Sequence, residues 1–436
     1  MYQRVTSELK IKNRIIHFRV LGKIKVKLKT LATSILLSTL PTAGAFAAAL
    51  DRSGQSISAF LQPGNYFEAG ISILDPNVAG TTTSGEKTGD MAGNYYFPSA
   101  ALKYQVSDQF SVGLLYDQPY GADAEYSNTS TFTTSQGGTK VEVDTQNLSL
   151  IVGFQPTENW NLYAGPVFQT VKGNVSLRGS AYSALGGITA FGIKGYDAII
   201  GETEGYGWLA GLAYQIPEIA LKASITYRSE IDHDVNIAET IVSPAQMAAI
   251  GQSGFPLLLP NGYSDADTTI TTPQSVNLDF QTGIMENTVA FANLRWVNWK
   301  DFAIRPNKFG EFAGVATYAA GGKGFDLVAY SDDQISATAG VGRKINDKWG
   351  ANASVGWDSG AGNPVTTLGP TEGYWNVGLG VQYSPEPNYF IAGGVKYFVL
   401  GDAKAQSGGD FGTSKYVAEF KDSDAWAFGL KIGYRF

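Results

Sequence analysis

The chain has no cysteine in 436 residues and only two histidines, His17 and His233. The first absence excludes a disulfide framework, a thiolate nucleophile and cysteine-ligated metals, so no metal or other cofactor is expected. A Ser-His-Asp hydrolase site would rest on His233 alone, because His17 falls in a segment that export removes. Strict alternation also turns His233 outward, away from any partner. Carboxylates are plentiful, but none has a spacing that marks acid–base work, and the chain is not expected to be an enzyme. Long apolar runs are missing too. The longest, "LATSILLSTL" from Leu31 to Leu40, falls well short of the roughly 18–20 residues a membrane helix needs. Positive charge is scarce: 32 Lys and Arg stand against 39 Asp and Glu, which speaks against nucleic acid as a partner.

What is present begins with an export signal. A basic stretch (Arg4 to Lys29) leads into the Leu31–Leu40 run, and Ala45-Phe46-Ala47 is the expected cleavage site. Removing residues 1–47 takes away nine basic side chains and Glu8, leaving a net charge near −15. Residues 48–64 then form a short stub ahead of the first strand, and 65–436 the main body.

That body reads as strands. The terminal "DAWAFGLKIGYRF" places Trp426, Phe428, Leu430, Ile432, Tyr434 and Phe436 on one face and small or charged residues on the other. Paired strand segments meet at very short turns: Ser107–Gln109, Pro156–Asn159, Pro217-Glu218, Met285–Asn287, Asn346-Asp347 and Pro385–Asn388. Long polar loops separate the pairs, at roughly 76–94, 120–139, 180–203, 241–272, 301–332, 359–372 and 403–423. Fourteen strands with short turns alternating with long loops predict an all-β, 14-stranded antiparallel transmembrane barrel of a Gram-negative outer membrane. Apolar faces then meet lipid, and Trp349 and Trp357 bracket the band as interface aromatics. In Ile219–Ile237, unbroken alternation turns Lys222, Ser224, Thr226, Arg228, Glu230, Asp232 and Asp234 into the lumen.

Four stretches carry a family resemblance: "YDQPYGADAEY" (Tyr116–Tyr126), "TYRSEIDHDV" (Thr226–Val235), "TTPQSVNLDFQTGI" (Thr271–Ile284) and "NLRWVNWKDF" (Asn293–Phe302). Together, from about residue 95 onward, they resemble the FadL-type outer-membrane transporters of long-chain fatty acids and other hydrophobic compounds. The resemblance implies a monomeric barrel that takes up such a molecule, exchanges it with outer-membrane lipid, and is assembled by machinery that reads the terminal aromatic strand. The family's plug of several tens of residues, with its Asn-Pro-Ala-like stretch, has no counterpart here beyond "ALDRSGQSISAFLQPG". Asp51, Arg52 and Ser53 would be a minimal inward-folded remnant.

Arg228, Lys222 and Lys396 fall on the expected lumen face and Arg295 is close to it in phase. A buried fatty carboxylate would need such partners. The bland alternative is that these cations pair with Glu230, Asp232 and Asp234. In the 241–272 loop, "FPLLLP" with Phe255, Leu257, Leu258 and Leu259 is too apolar to stand in water, and by the resemblance such a loop captures ligand. Pro119 and Gly121 interrupt the third strand, and the resemblance makes that break a lateral exit through the wall. The alternative function is a porin passing hydrophilic solutes.

Overall fold

The computed structural model describes residues 49–135, 137–182, 195–240, 263–316, 323–407, 410 and 413–436. Alternating apolar residues build one sheet that closes on itself. Its strands are β1 (Tyr66–Asn77), β2 (Tyr95–Gln105), β3 in two pieces (Phe110–Asp117 and Gly121–Glu125), β4 (Lys140–Thr157), β5 (Trp160–Leu177) and β6 (Tyr196–Ile216). β7 (Leu221–Arg228 and Ile231–Thr240) and β8 (Tyr263–Thr272 and Ser275–Met285) are also interrupted. β9 (Thr288–Val297), β10 (Gln334–Lys344), β11 (Trp349–Asp358), β12 (Tyr374–Glu386), β13 (Tyr389–Leu400) and β14 (Asp424–Arg435) complete the set. Every neighbour is antiparallel, and β14 returns to β1 from Tyr66↔Arg435 to Asn77↔Asp424, so the sheet closes on itself. The fourteen-stranded barrel expected from the sequence is present.

The outer face is a belt of exposed apolar side chains, as lipid requires: Leu148, Leu150, Val152 and Phe154 on β4, and Phe428, Leu430 and Ile432 on β14. Aromatic pairs mark its two rims. Trp160–Tyr214 and Trp349–Tyr383 lie at the short-turn end, and Trp208–Tyr227, Trp357–Trp375 and Tyr397–Trp426 at the other.

Three loops expected from the sequence are partly barrel strand, since β3 resumes at Gly121, β6 already begins at Tyr196 and β8 at Tyr263. Beyond the lipid belt the outer face is polar, as with the exposed Asp265, Asp267 and Thr269 of β8, so these extensions lack the apolar alternation that identifies a spanning strand. Above the belt, loop segments form a five-stranded sheet and helix α1 (Asn307–Ala316), and a cluster around Trp299, Tyr120, Phe309 and Phe398 fills that end of the barrel.

A second correction concerns β7. Ser229 and Glu230 form a break at which the Ser229 N–H donates to the Trp208 carbonyl (3.0 Å) and the Trp208 N–H donates to the Ser229 hydroxyl (3.0 Å), while pairing with β8 resumes in register from Arg228↔Ser275 to Ile231↔Thr272. Arg228 and Ile231 both point inward although they are three positions apart, so the phase of everything beyond the break is reversed. Ile231, His233 and Val235 therefore point inward, while Glu230, Asp232 and Asp234 are exposed outside. Asp232 and Asp234 accept hydrogen bonds from Thr271 (2.7 Å) and Thr269 (3.0 Å) on the outer surface. His233, expected outside, is fully buried, with Nε2 at 3.0 Å from Oε1 of Gln169.

Candidate functional site

The residues ahead of β1 run down the inside of the barrel. Asp51 pairs with Arg295, buried on both sides, with Nε donating to Oδ2 at 2.6 Å and Nη2 to Oδ1 at 3.3 Å. Arg295 also donates to Asn277 (2.7 Å), Ser275 (3.2 Å) and Gln55 (3.1 Å). The Ser53 hydroxyl bonds the Asp117 carboxylate, and the Gly54 carbonyl accepts from Asn277 (2.7 Å). Lower down, Ile57–Gln62 makes a tight turn that buries Ile57, Phe60 and Leu61 against Leu115, Ile151, Tyr163 and Leu209 of the wall. Its last carbonyls would be orphaned, as at any helical end. Two wall lysines satisfy them: Lys222 Nζ donates to Leu61 (2.8 Å) and Lys103 Nζ to Gln62 (2.5 Å).

Below and beside this arm lies a cavity of about 410 Å³. Arg228, Lys222, Lys396 and Lys431 contribute to its wall, together with Ser224, Asn352 and Ser354. Lys431 is committed to Glu68 at 3.0 Å. Arg228 is 5% exposed, and its Nε and Nη1 have no hydrogen-bond partner among the described residues. The break in β7 is the reason, because it turns outward the three carboxylates that unbroken alternation would have set beside this guanidinium; Asp117 acts on it through space without forming an ion pair. A desolvated guanidinium with unfilled donors is built to receive an oxyanion.

Of the residues expected at the site, Arg228, Lys222, Lys396 and Arg295 all line the cavity, but Arg295 is occupied by Asp51 and Lys222 also holds the arm. Phe255, Leu257, Leu258 and Leu259 lie outside the described residues. Lys103, Lys431 and Asp117 were not anticipated as site residues. Their inward phase was readable from alternation on β2, β14 and β3, but what they bond depends on a chain segment that is distant in sequence.

Pro119 and Gly121 do break the third strand. β2 and β3 pair only from Gln105↔Ser111 to Ala100↔Tyr116, and beyond that point Tyr96–Ser99 have no ladder partner on the β3 side among the described residues, while the Tyr95 hydroxyl donates to the Asp123 carbonyl (2.8 Å) and accepts from the Asp123 N–H (2.7 Å). The upper piece of β3 stays with β4, from Gly121↔Asp144 to Glu125↔Lys140, and touches the β2 side again at the Ala92↔Ala124 bridge. A slot through the wall results, and the cavity reaches it at Phe97–Ala100 and Tyr116–Gln118. The backbone groups freed by the break are satisfied from inside: the Arg52 N–H donates to the Pro119 carbonyl (2.7 Å) and the Gly121 N–H to the Leu50 carbonyl (2.9 Å).

A closed barrel with an arm in its lumen, a cavity lined by apolar side chains and a few cations, and a slot in its wall defines a channel-type membrane transporter. The model of the outer membrane protein transport protein family (OMPP1/FadL/TodX) matches residues 46–436, and the chain belongs to that family. It is an outer-membrane protein and not an enzyme. It is 22% identical over 400 residues to the long-chain fatty acid transport protein of Escherichia coli (strain K12), covering 85% of this chain and 84% of that one. The Salmonella typhi protein of the same name is 23% identical over 391 residues, with the same coverage. Among solved structures, a FadL homologue of Pseudomonas aeruginosa superposes with a TM-score of 0.67 at 15% identity, over 87% of this chain and 92% of the other. The toluene transporter TodX of P. putida gives 0.58 at 15% identity, over 87% and 91%. At these identities the structural likeness establishes the fold.

Proposed function

We propose that this protein carries long-chain carboxylic acids or similar amphiphiles inward across the outer membrane without an energy source. The observation that carries this reading is Arg228, buried on the cavity wall with two unfilled donors. Lys396 and Lys222, on the same wall, would add positive charge around the carboxylate. A sixteen-carbon chain gains on the order of 12 kcal/mol on full burial, at about 0.8 kcal/mol per methylene. Loss of freedom offsets much of that, so partial burial is enough for reversible capture.

Capture begins at the external loop that holds Phe255, Leu257, Leu258 and Leu259. The head group then meets Arg228, and the molecule leaves through the slot at Pro119 and Gly121 into the lipid of the outer leaflet. Relatives include a long-chain fatty acid transport protein and, by fold, a toluene transporter. A neutral aromatic would leave Arg228 desolvated and unpaired, which favours the acid. The porin alternative is disfavoured because the arm crosses the lumen and aromatic residues close its outer end.

The test is binding of a C16 or C18 fatty acid to purified wild-type and Arg228→Met protein. A charge-assisted pair contributes roughly 1.5–3 kcal/mol, so the variant should bind roughly 10- to 100-fold more weakly. Equal affinity would remove Arg228 from the site. Large, steady unitary currents in planar bilayers, without fatty-acid binding, would restore the porin.

A further inference from the structure

A side chain from the arm lies in the slot, against Tyr95, whose hydroxyl reaches across to the Asp123 backbone. Arg52 leaves the arm between the two pieces of β3, where Asp51 bridges Tyr120, and its guanidinium lies over the Tyr95 ring at 3.9 Å from the centroid. Phe97, stacked beside Tyr95, is 5.6 Å from the same group. The other side of the slot is Gly121, where a Cβ would stand 2.2 Å from Arg52 Nη1. Only glycine leaves room for the guanidinium there. Arg52 is 7% exposed, and its Nε and Nη2 have no hydrogen-bond partner among the described residues. Tyr95 also meets it through a side-chain hydrogen bond, and Asp144 and Asp123 act on it through space, but no carboxylate among the described residues forms an ion pair with it.

The height of the slot matters. On the outer face of β4, apolar Leu148, Leu150, Val152 and Phe154 give way to Gln146, Asp144 and Glu142, and Gly121 is paired with Asp144. The slot therefore opens where the apolar belt meets the polar zone. An amphiphile leaving there can put its tail into lipid while its head stays level with Arg52.

We propose that Arg52 is a second anion station, in the exit itself, which receives the carboxylate handed on from Arg228 and so passes anionic amphiphiles in preference to neutral ones. This rests on the transport reading above and adds a selectivity step to it. A carboxylate arriving in the slot fills the open donors of a desolvated cation with charge-assisted bonds. A neutral chain must pass the same cation with no compensation, so the step discriminates by head group and not by chain length. The aromatic stack holds the guanidinium in place in the meantime. A lipid phosphate could offer the same oxyanion chemistry, but it would then obstruct the exit.

The experiment measures uptake of a C18 fatty acid and the matching C18 alcohol by intact cells of a host lacking its own transporter, at matched surface levels of protein. Arg52→Met should lower the acid-to-alcohol ratio at least tenfold, and Arg52→Lys, which keeps the charge, should restore it to within about threefold. Acid binding to purified Arg52→Met protein should stay within about twofold of wild type, because Arg228 is intact. An unchanged ratio would overturn the proposal, whether both rates fall together or neither moves. A rise in both rates would show that Arg52, or a phosphate bound to it, is only a stopper, which also overturns it. Failure of the wild-type protein to take up either compound would overturn the transport reading, and this inference with it.

Discussion

The Asp51–Arg295 pair shows how much of the arm's position depends on one contact. Both side chains are buried, and breaking such a pair typically costs about 3–5 kcal/mol because the surviving charge has no solvent to return to. Arg295 has three further acceptors, so it keeps its place, and the arm bears the loss. Asp51→Ala is therefore expected to loosen the arm without unfolding the barrel. Ala59, buried within the arm's own turn, is a suitable reporter, since the chain has no native cysteine. Labelling of Ala59→Cys by a soluble maleimide should speed up at least fivefold in the Asp51→Ala background. An unchanged rate would mean that Lys103, Lys222 and the Phe60 cluster hold the arm unaided.

At the scale of a strand, what alternation could and could not reveal is clearest in β3 and β7. Pro119 and Gly121 announce the break in β3 by their chemistry, because one lacks a donor and the other lacks a Cβ. The break at Ser229 and Glu230 has no such marker in its own strand, only Pro273 opposite it in β8. Its cause is a serine hydroxyl taking the place of a backbone acceptor, so alternation read through it put Asp232 and Asp234 in the lumen and His233 outside. The same miss concealed why Arg228 is unpaired. For β3 the structure sharpens the expectation: Gly121→Val with Pro119→Thr would both fill the slot and expel Arg52. Uptake of acid and alcohol should fall together, by tenfold or more, with acid affinity at Arg228 kept within about twofold. That separates it from Arg52→Met, which shifts the ratio. Undiminished uptake in a folded double variant would place the exit down the lumen to the periplasm.

For the whole molecule, closure was legible from the sequence because an even strand count with an aromatic last strand leaves β14 only β1 to pair with. The arm was legible only as a short stub. Its fold is written in contacts such as Lys103 with Gln62 and Asn277 with Gly54, which no local pattern encodes. The terminus itself invites the last test. Phe436 is 55% exposed on the lipid face, stacked beside Tyr434 at 5.8 Å, and its N–H reaches the Asn65 carbonyl at 3.3 Å, next to the closing seam. None of these contacts reaches the cavity or the slot. If the ring is read by the assembly machinery, deleting Phe436 should lower the amount of barrel in the outer membrane several-fold. Uptake per inserted molecule should then match wild type, and so should fatty-acid affinity. Normal membrane levels with lost uptake would reverse this assignment and make the seam between β1 and β14 part of the transport path.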